Sequence, residues 1–273
     1  MMPYPDNAPI GVFDSGLGGL SVLRAVQAQL PHEHLLYLAD SGYAPYGDKS
    51  DEYIRERSVW IGAWLQSQGV KAIVVACNTA TAVAARTLRE RYPTLPIVGV
   101  EPGLKPALEV TRNHVIGVLA TPSTLSSERF ARLMQQVQGQ SPNTRFLTAP
   151  GTGWVECVER GELEGDKVEA LVAQALQPLL DPATAPAPDT LVLGCTHYPF
   201  LQSLIQAAAP TVQIIDTAPA IARQLERRLQ NESSLRVYHL NAPTIRLVTS
   251  GTLEPLQRLA QRLLSQAFVE SLS

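Results

Sequence analysis

The sequence predicts a mixed α/β protein made of two related halves, each an open sheet of parallel strands. Three observations carry this reading. Ile73-Val74-Val75-Ala76-Cys77-Asn78-Thr79 is an apolar run that stops at a thiol and two small polar side chains, and Leu191-Val192-Leu193-Gly194-Cys195-Thr196-His197 repeats the plan. Ile116-Gly117-Val118-Leu119 likewise repeats Ile10-Gly11-Val12-Phe13. Short apolar runs alternating with helical patterns read as βα units of a buried parallel sheet. A repeat this long means duplicated domains, not a solenoid.

Taken in order, Ile10-Gly11-Val12-Phe13 is a first strand, ended by Asp14-Ser15-Gly16-Leu17-Gly18-Gly19 and followed by the helical spacing of Leu20, Val22, Leu23, Val26 and Leu30. The glycines resemble a dinucleotide fingerprint, but Ser21 stands where its third Gly belongs and Asp14 sets negative charge beside the phosphate cradle. The competing reading is a tight turn with close helix packing. Leu35 to Ala39 is a second strand with a turn-rich loop, Asp40 to Lys49, after it. A helix from Asp51 to Gln68 is expected to bury Ile54, Trp60, Ile61, Trp64 and Leu65. The first cysteine strand leads into a helix from Ala80 to Tyr92, and Ile97 to Val100 is the fourth strand. Glu101-Pro102-Gly103 closes the half.

The second half restarts at Val115, with Phe146 to Thr148 as a strand, helical patterns at Trp154 to Gly161 and Lys167 to Leu180, and then the second cysteine strand. Beyond it are expected a helix Phe200 to Ala208, a strand Val212 to Ile215, a helix Ala218 to Gln230, strands Arg236 to Leu240 and Ile245 to Thr249, and a helix Glu254 to Ala267. The tail is expected to return to the first half. The domains would then be 1–101 with 216–273, and 102–215, with the active site in the cleft between them.

Composition narrows the function. Hydrophobic content of 45%, charged content of 17% and a net charge of −3 describe a globular protein without a basic field for nucleic acid or an anionic membrane surface. The first residues have no signal-peptide pattern, and no apolar run is long enough to span a bilayer. The expected location is cytoplasmic. Cys77, Cys157 and Cys195 are an odd number of cysteines, which argues against a disulfide framework.

Cys157 lies within a helical pattern and reads as an inert buried thiol. Cys77 and Cys195 instead stand at strand ends, where helix-start N–H groups would stabilise a thiolate. A Cys–His hydrolase leaves the second thiol unexplained. Cys-Thr-His lacks the paired spacing of zinc sites, so no metal is expected. Lys49, Lys71, Lys105 and Lys167 all lie outside the strand-end motifs, so a pyridoxal Schiff base is not favoured either. A racemase needs an acid and a base on opposite faces of one carbon, and two matched thiols supply both. A two-lobed amino-acid binding module is the reading of another class.

Phe13-Asp14-Ser15-Gly16-Leu17-Gly18-Gly19, Ala44-Pro45-Tyr46-Gly47, Ala76-Cys77-Asn78-Thr79-Ala80-Thr81 and Gly194-Cys195-Thr196-His197-Tyr198-Pro199 resemble, in order and spacing, the motifs of the glutamate racemases. The resemblance runs from Ile10 into the tail at Thr249-Ser250-Gly251. It implies a cofactor-independent, two-domain cytoplasmic isomerase that supplies D-glutamate for peptidoglycan, with a homodimer as its candidate assembly; a racemase of aspartate or another amino acid is the alternative in the same class. It further implies that Cys77 and Cys195 are the paired acid and base, assisted by Asp14 and His197. Asp14, Ser15, Tyr46, Gly47, Asn78, Thr79, Thr196 and His197 would hold glutamate. Where the family commonly has Cys-Pro-Leu-aromatic before a catalytic glutamate, this chain has Gly151-Thr152-Gly153-Trp154. Glu159 matches that glutamate, with Glu156 and Glu162 on the same helical face, and a solvated acidic surface is the competing reading of the three.

Overall fold

A computed structural model describes residues 7–100, 103–181, 186–231, 234–236, 242–264 and 267–272. In the first stretch, β1 (Ile10–Asp14), α1 (Leu20–Gln29), β2 (Leu35–Ala39), α2 (Asp51–Ser67), β3 (Ala72–Val75), α3 (Asn78–Arg91) and β4 (Ile97–Gly99) alternate. β1, β2 and β3 are buried along their whole length, as strands covered on both faces by helices must be. Leu36, Leu38, Ile54, Ile61, Leu65, Ile73 and Leu88 pack into one core cluster there.

The middle stretch holds α4 (Leu104–Val110), β5 (Val115–Ala120), α5 (Pro122–Leu125), α6 (Glu128–Gln140), β6 (Arg145–Pro150), α7 (Trp154–Glu159), α8 (Asp166–Leu180), β7 (Thr190–Leu193), α9 (Gln202–Ala208) and β8 (Gln213–Ile215). The last stretch adds α10 (Ala218–Asn231), β9 (Ile245–Thr249), α11 (Leu253–Leu263) and β10 (Phe268–Ser271). The chain divides into two compact units, Met1–Glu101 with Ala218–Ser273, and Pro102–Thr217.

The first unit carries a six-stranded sheet in the order β10-β9-β2-β1-β3-β4, and the second a four-stranded sheet in the order β6-β5-β7-β8. Every pairing is parallel, as the fold class required. The order β2-β1-β3-β4 is reproduced by β6-β5-β7-β8, so the internal repeat seen in the sequence is a repeat of winding. In each unit the chain leaves the first strand toward one side and returns on the other, and such switch points are where open α/β sheets bind ligands. Ala76 N donates to Phe13 O at 2.8 Å in one unit, and Gly194 N to Leu119 O at 2.7 Å in the other. These matched bonds deliver Cys77 and Cys195 to equivalent strand ends.

The tail completes the first sheet by laying β9 beside β2, with Leu35 opposite Ile245 and Ala39 opposite Thr249. α10 buries Ile221, Ala222, Leu225 and Leu229 and packs on α1. A buried ion pair, Lys71 Nζ to Glu33 at 2.6 Å, fixes the connection: Lys71 also donates to Ser234 O at 2.7 Å, and Glu33 Oε1 accepts from Arg236 N at 2.9 Å.

Several expectations are corrected. Trp60 is 43% exposed, and Arg57 lies 4.2 Å from its ring; only Ile54, Ile61 and Leu65 of the expected stripe are buried. The last helix ends at Leu263, short of the expected Ala267, and a strand not expected from the sequence, β10, follows at Phe268–Ser271. No α-helix starts at Cys195: a turn and a 3₁₀ segment, Tyr198–Leu201, precede α9, because Pro199 lacks an amide hydrogen for regular helix bonding. Arg236 is not in a strand, and the rest of the expected strand, 237–240, lies outside the described residues. No described helix is long and apolar enough to cross a membrane.

Candidate active site

In the first unit the site is assembled by the ends of β1 and β3. Asp14 closes β1, is 1% exposed, and takes bonds on both oxygens: Ser15 N donates to Oδ1 at 2.7 Å and Gly19 N to Oδ2 at 2.5 Å. A Cβ at Gly19 would lie 2.7 Å from Asp14 Cβ and 2.9 Å from the Tyr37 hydroxyl, so only glycine allows this closeness. The glycine motif therefore folds around a carboxylate, which favours the tight-turn reading over a phosphate cradle. Tyr37 pins the turn by donating to Gly16 O at 2.6 Å.

Cys77 is 5% exposed and caps α3, its sulfur accepting from Ala80 N at 3.4 Å and lying 3.6 Å from Ser15 Oγ. Asn78 and Thr79 are the first residues of α3 and half-buried. The helix-start N–H of Ala80 favours a thiolate, as expected, but other effects outweigh it here. Burial, and then the charge of Asp14, push the Cys77 thiol up to about 12, outweighing the hydrogen bonds from Ala80 and Ser15. Tyr46 is buried in the same apolar cluster as Cys77, and Gly47 beside it is exposed.

In the second unit Cys195 is half-buried and its sulfur lies 3.6 Å from His197 Nδ1. His197 Nε2 lies 2.7 Å from Glu159 Oε1, at the end of α7. Burial opposes a charge on this imidazole, but the hydrogen bonds to Cys195 and Glu159 overcome it and raise His197 well above its ordinary value. Thr196 is buried between them in sequence. Glu159 thus meets His197, whereas Glu156 is exposed. Glu162 lies beyond the end of α7, not on its face, and is held down to about 2 by hydrogen bonds from Arg160 at 2.8 Å and Lys167 at 2.9 Å.

The run Gly151 to Trp154 leads α7 to the Cys195 turn. Trp154 is fully buried and packs edge-on against Tyr198 with ring centroids 4.7 Å apart. Its indole donates to Leu171 O at 3.3 Å, and Tyr198 donates to Gly151 O at 3.4 Å. A Cβ at Gly151 would sit 2.4 Å from the Tyr198 hydroxyl. Tyr198 follows His197 directly, so the aromatic pair sets the distance at which Glu159 finds the imidazole. Sequence reasoning gave Trp154 and Tyr198 no role. The one signal for them was their adjacency to motif residues.

Two constellations result. Cys77 stands beside a carboxylate, and Cys195 beside an imidazole that is itself held by a carboxylate. Each can move a proton at sulfur and pass it to or from a neighbour.

Comparison with known proteins places the chain among racemases. The family model for Asp/Glu/Hydantoin racemase matches residues 10–225. A glutamate racemase of Ectopseudomonas mendocina is 50% identical over 260 residues, covering 95% of each chain, and one of Ralstonia pickettii is 51% identical over 261 residues, covering 95% of this chain and 89% of its own. The structure of the Escherichia coli glutamate racemase in complex with L-glutamate and the activator UDP-MurNAc-ala superposes with a TM-score of 0.84 at 32% identity, covering 97% of this chain and 98% of the other. The chain belongs to the Asp/Glu/Hydantoin racemase family and is an amino-acid racemase, an isomerase.

Proposed function

We propose that this racemase interconverts L- and D-glutamate by a two-base mechanism, with Cys77 and Cys195 serving opposite faces of one α-carbon. The observation that carries the reading is the pair of thiols at equivalent strand ends, each with its own proton-handling neighbour. One sulfur, as thiolate, takes the α-proton and becomes a thiol; the C–H electron pair moves toward the substrate carboxylate. The other thiol gives its proton to the opposite face and becomes the thiolate. The thiols end with exchanged protonation, so a reverse turnover restores them.

A Cys77 that stays protonated is suited to donate, which is its part when L-glutamate is converted to D-glutamate. A cationic His197 presents an N–H to the Cys195 sulfur, favours it as the thiolate, and can donate its Nδ1 proton to that sulfur and, once neutral, take it back. On this reading Cys195 takes the proton from L-glutamate and Cys77 from D-glutamate. Asp14 suits the substrate ammonium and the Cys77 proton. Ser15, Tyr46, Gly47, Asn78, Thr79 and Thr196 hold the rest, and helix-start N–H groups after Cys77 steady the charge that develops on the carboxylate. The domains involved are 1–101 with 216–273, and 102–215. The product would serve peptidoglycan synthesis in the cytoplasm.

The test is incubation in deuterated water with L-glutamate and, separately, L-aspartate, following optical rotation and deuterium at the α-carbon. Glutamate is expected to lose rotation as it gains deuterium. Faster turnover of aspartate overturns the substrate assignment, and glutamate that binds without gaining deuterium overturns the chemistry.

A further inference from the structure

Asp40 follows β2 and is fully buried, yet its carboxylate is saturated with donors. Oδ2 accepts from the Tyr46 hydroxyl at 2.6 Å and from Arg57 Nε at 2.7 Å; Oδ1 accepts from Arg57 Nη2 at 2.8 Å and from Ser250 Oγ at 2.9 Å. The Arg57 guanidinium is shielded between two aromatic rings, 3.6 Å from Tyr43 and 4.2 Å from Trp60, which leaves its side chain 12% exposed. Ser250, just past β9, also accepts from Gly42 N at 3.1 Å, and a Cβ on Gly42 would lie 2.6 Å from Ser250 O. The loop between β2 and α2 is therefore held by three elements at once: β2 through Asp40, α2 through Arg57 and the end of β9 through Ser250.

This loop carries Tyr46 and Gly47. Burial and the Asp40 carboxylate push the Tyr46 hydroxyl far above its ordinary range, so it keeps its proton and directs it to Asp40. Its hydroxyl is spent internally, and Gly47 has no side chain. What Tyr46 and Gly47 offer a ligand is backbone, and backbone recognition depends on where the loop is held. A buried Asp–Arg pair seldom adds stability over apolar residues of similar volume, so this one is better explained by the geometry it enforces.

We propose that Asp40, supported by Arg57 and Ser250, is a positioning residue of this racemase that holds the Tyr46–Gly47 segment in its substrate-binding geometry. Substrate affinity is then set in part by residues that never touch substrate, one of them supplied by the returning tail. This rests on the reading above that Tyr46 and Gly47 hold the substrate.

The experiment measures kcat and KM for both enantiomers of glutamate, with thermal midpoints, in Asp40→Asn, Arg57→Ala, Arg57→Lys, Ser250→Ala, Tyr46→Phe and the Asp40→Asn/Tyr46→Phe double variant. Loss of positioning removes binding made equally in ground and transition states, so KM should rise about tenfold or more in Asp40→Asn while kcat stays within about threefold. Arg57→Lys should retain more affinity than Arg57→Ala. The double variant should be no worse than Asp40→Asn alone, since both substitutions break one link. Unchanged KM in folded Asp40→Asn, or additive losses in the double variant, overturns the proposal. Should Asp40→Asn not fold, Tyr46→Phe and Ser250→Ala decide: a raised KM at an unaltered thermal midpoint supports it, and an unaltered KM in both overturns it. A wild-type protein inert toward glutamate would instead overturn the substrate reading.

Discussion

Cys77 and Cys195 occupy the same place in two sheets of the same winding, yet the protein treats them oppositely. Cys77 is buried, caps the fourteen-residue α3 and faces a carboxylate, so its proton is held tightly. Cys195 is half-buried, opens onto a turn, and faces an imidazole that, against its burial, is held toward its cationic form by Cys195 itself and by Glu159. The repeated winding fixes where each sulfur lies; the neighbours, which are not repeated, decide what each does with a proton. In a two-base reaction one sulfur must be a thiolate while the other is a thiol, and the two exchange states at each turnover; unlike neighbours bias which form each sulfur rests in.

The largest effect should come from deleting one member of the pair. Enantiomers have equal free energy, so kcat/KM in the two directions must stay equal in every variant, and rates alone cannot assign a thiol to a face. Exchange can. Cys77→Ala and Cys195→Ala should each lower racemisation by roughly 10⁴-fold or more, while the surviving thiol still exchanges the α-proton on its own face. In deuterated water, Cys77→Ala should label L-glutamate with retention, and Cys195→Ala should label D-glutamate. Near-wild-type racemisation by either variant breaks the two-base reading. A swapped labelling pattern reverses only the faces.

The features that made the pair visible in the sequence are local. A short run such as Ile73 to Val75 has one stable use, a buried parallel strand, and a polar residue at its end marks the ligand edge. The environments that set the two thiols apart are not local. Glu159 and His197 are distant in sequence and meet where Trp154 packs on Tyr198. Asp40 reads as an ordinary loop residue, with no sign that Arg57 and Ser250 converge on it. Trp60 fits a core stripe by spacing, but Arg57 stacks on it at the surface. The end of α11 was equally illegible, since β10 owes its existence to pairing with β9, with Phe268 opposite Arg246 and Ser271 opposite Thr249.

Removing the charge of Glu159 should have the next largest effect, because it makes the second pole less unlike an ordinary cysteine. Glu159→Gln keeps a hydrogen-bonding group near His197 Nε2 but no longer favours the cation, so the imidazole should release its proton at lower pH. We expect kcat/KM to fall roughly 10- to 100-fold, equally for both enantiomers, less than for loss of a direct acid–base group. The alkaline limb of the kcat/KM profile should shift to lower pH. Stability supplies a second reading: a folded-state value raised above 6.5 contributes stability that is complete below that pH and is lost as pH rises through the folded value. The wild-type thermal midpoint should therefore decline on the alkaline side of 6.5, and Glu159→Gln should flatten that decline. An unchanged profile would mean that His197 does not depend on Glu159.

The smallest effects should come from the two acidic residues nearest Glu159 that do not meet the imidazole. Glu162 already spends both oxygens on Arg160 and Lys167, and those contacts hold its carboxyl near 2, so it has neither the place nor the basicity to serve Cys195. Glu156 lies on the exposed side of α7. Solvent screens exposed ion pairs, so Glu156→Gln and Glu162→Gln should each leave kcat/KM within about twofold of wild type, with no shift of the alkaline limb. The comparison among the three variants uses the same substitution within one short segment, so general damage to α7 would appear in all of them. A loss confined to Glu159→Gln assigns the carboxylate that distinguishes the Cys195 pole. A loss at Glu162→Gln larger than at Glu159→Gln would show that the proton route from Cys195 leaves by the surface cluster instead of through His197.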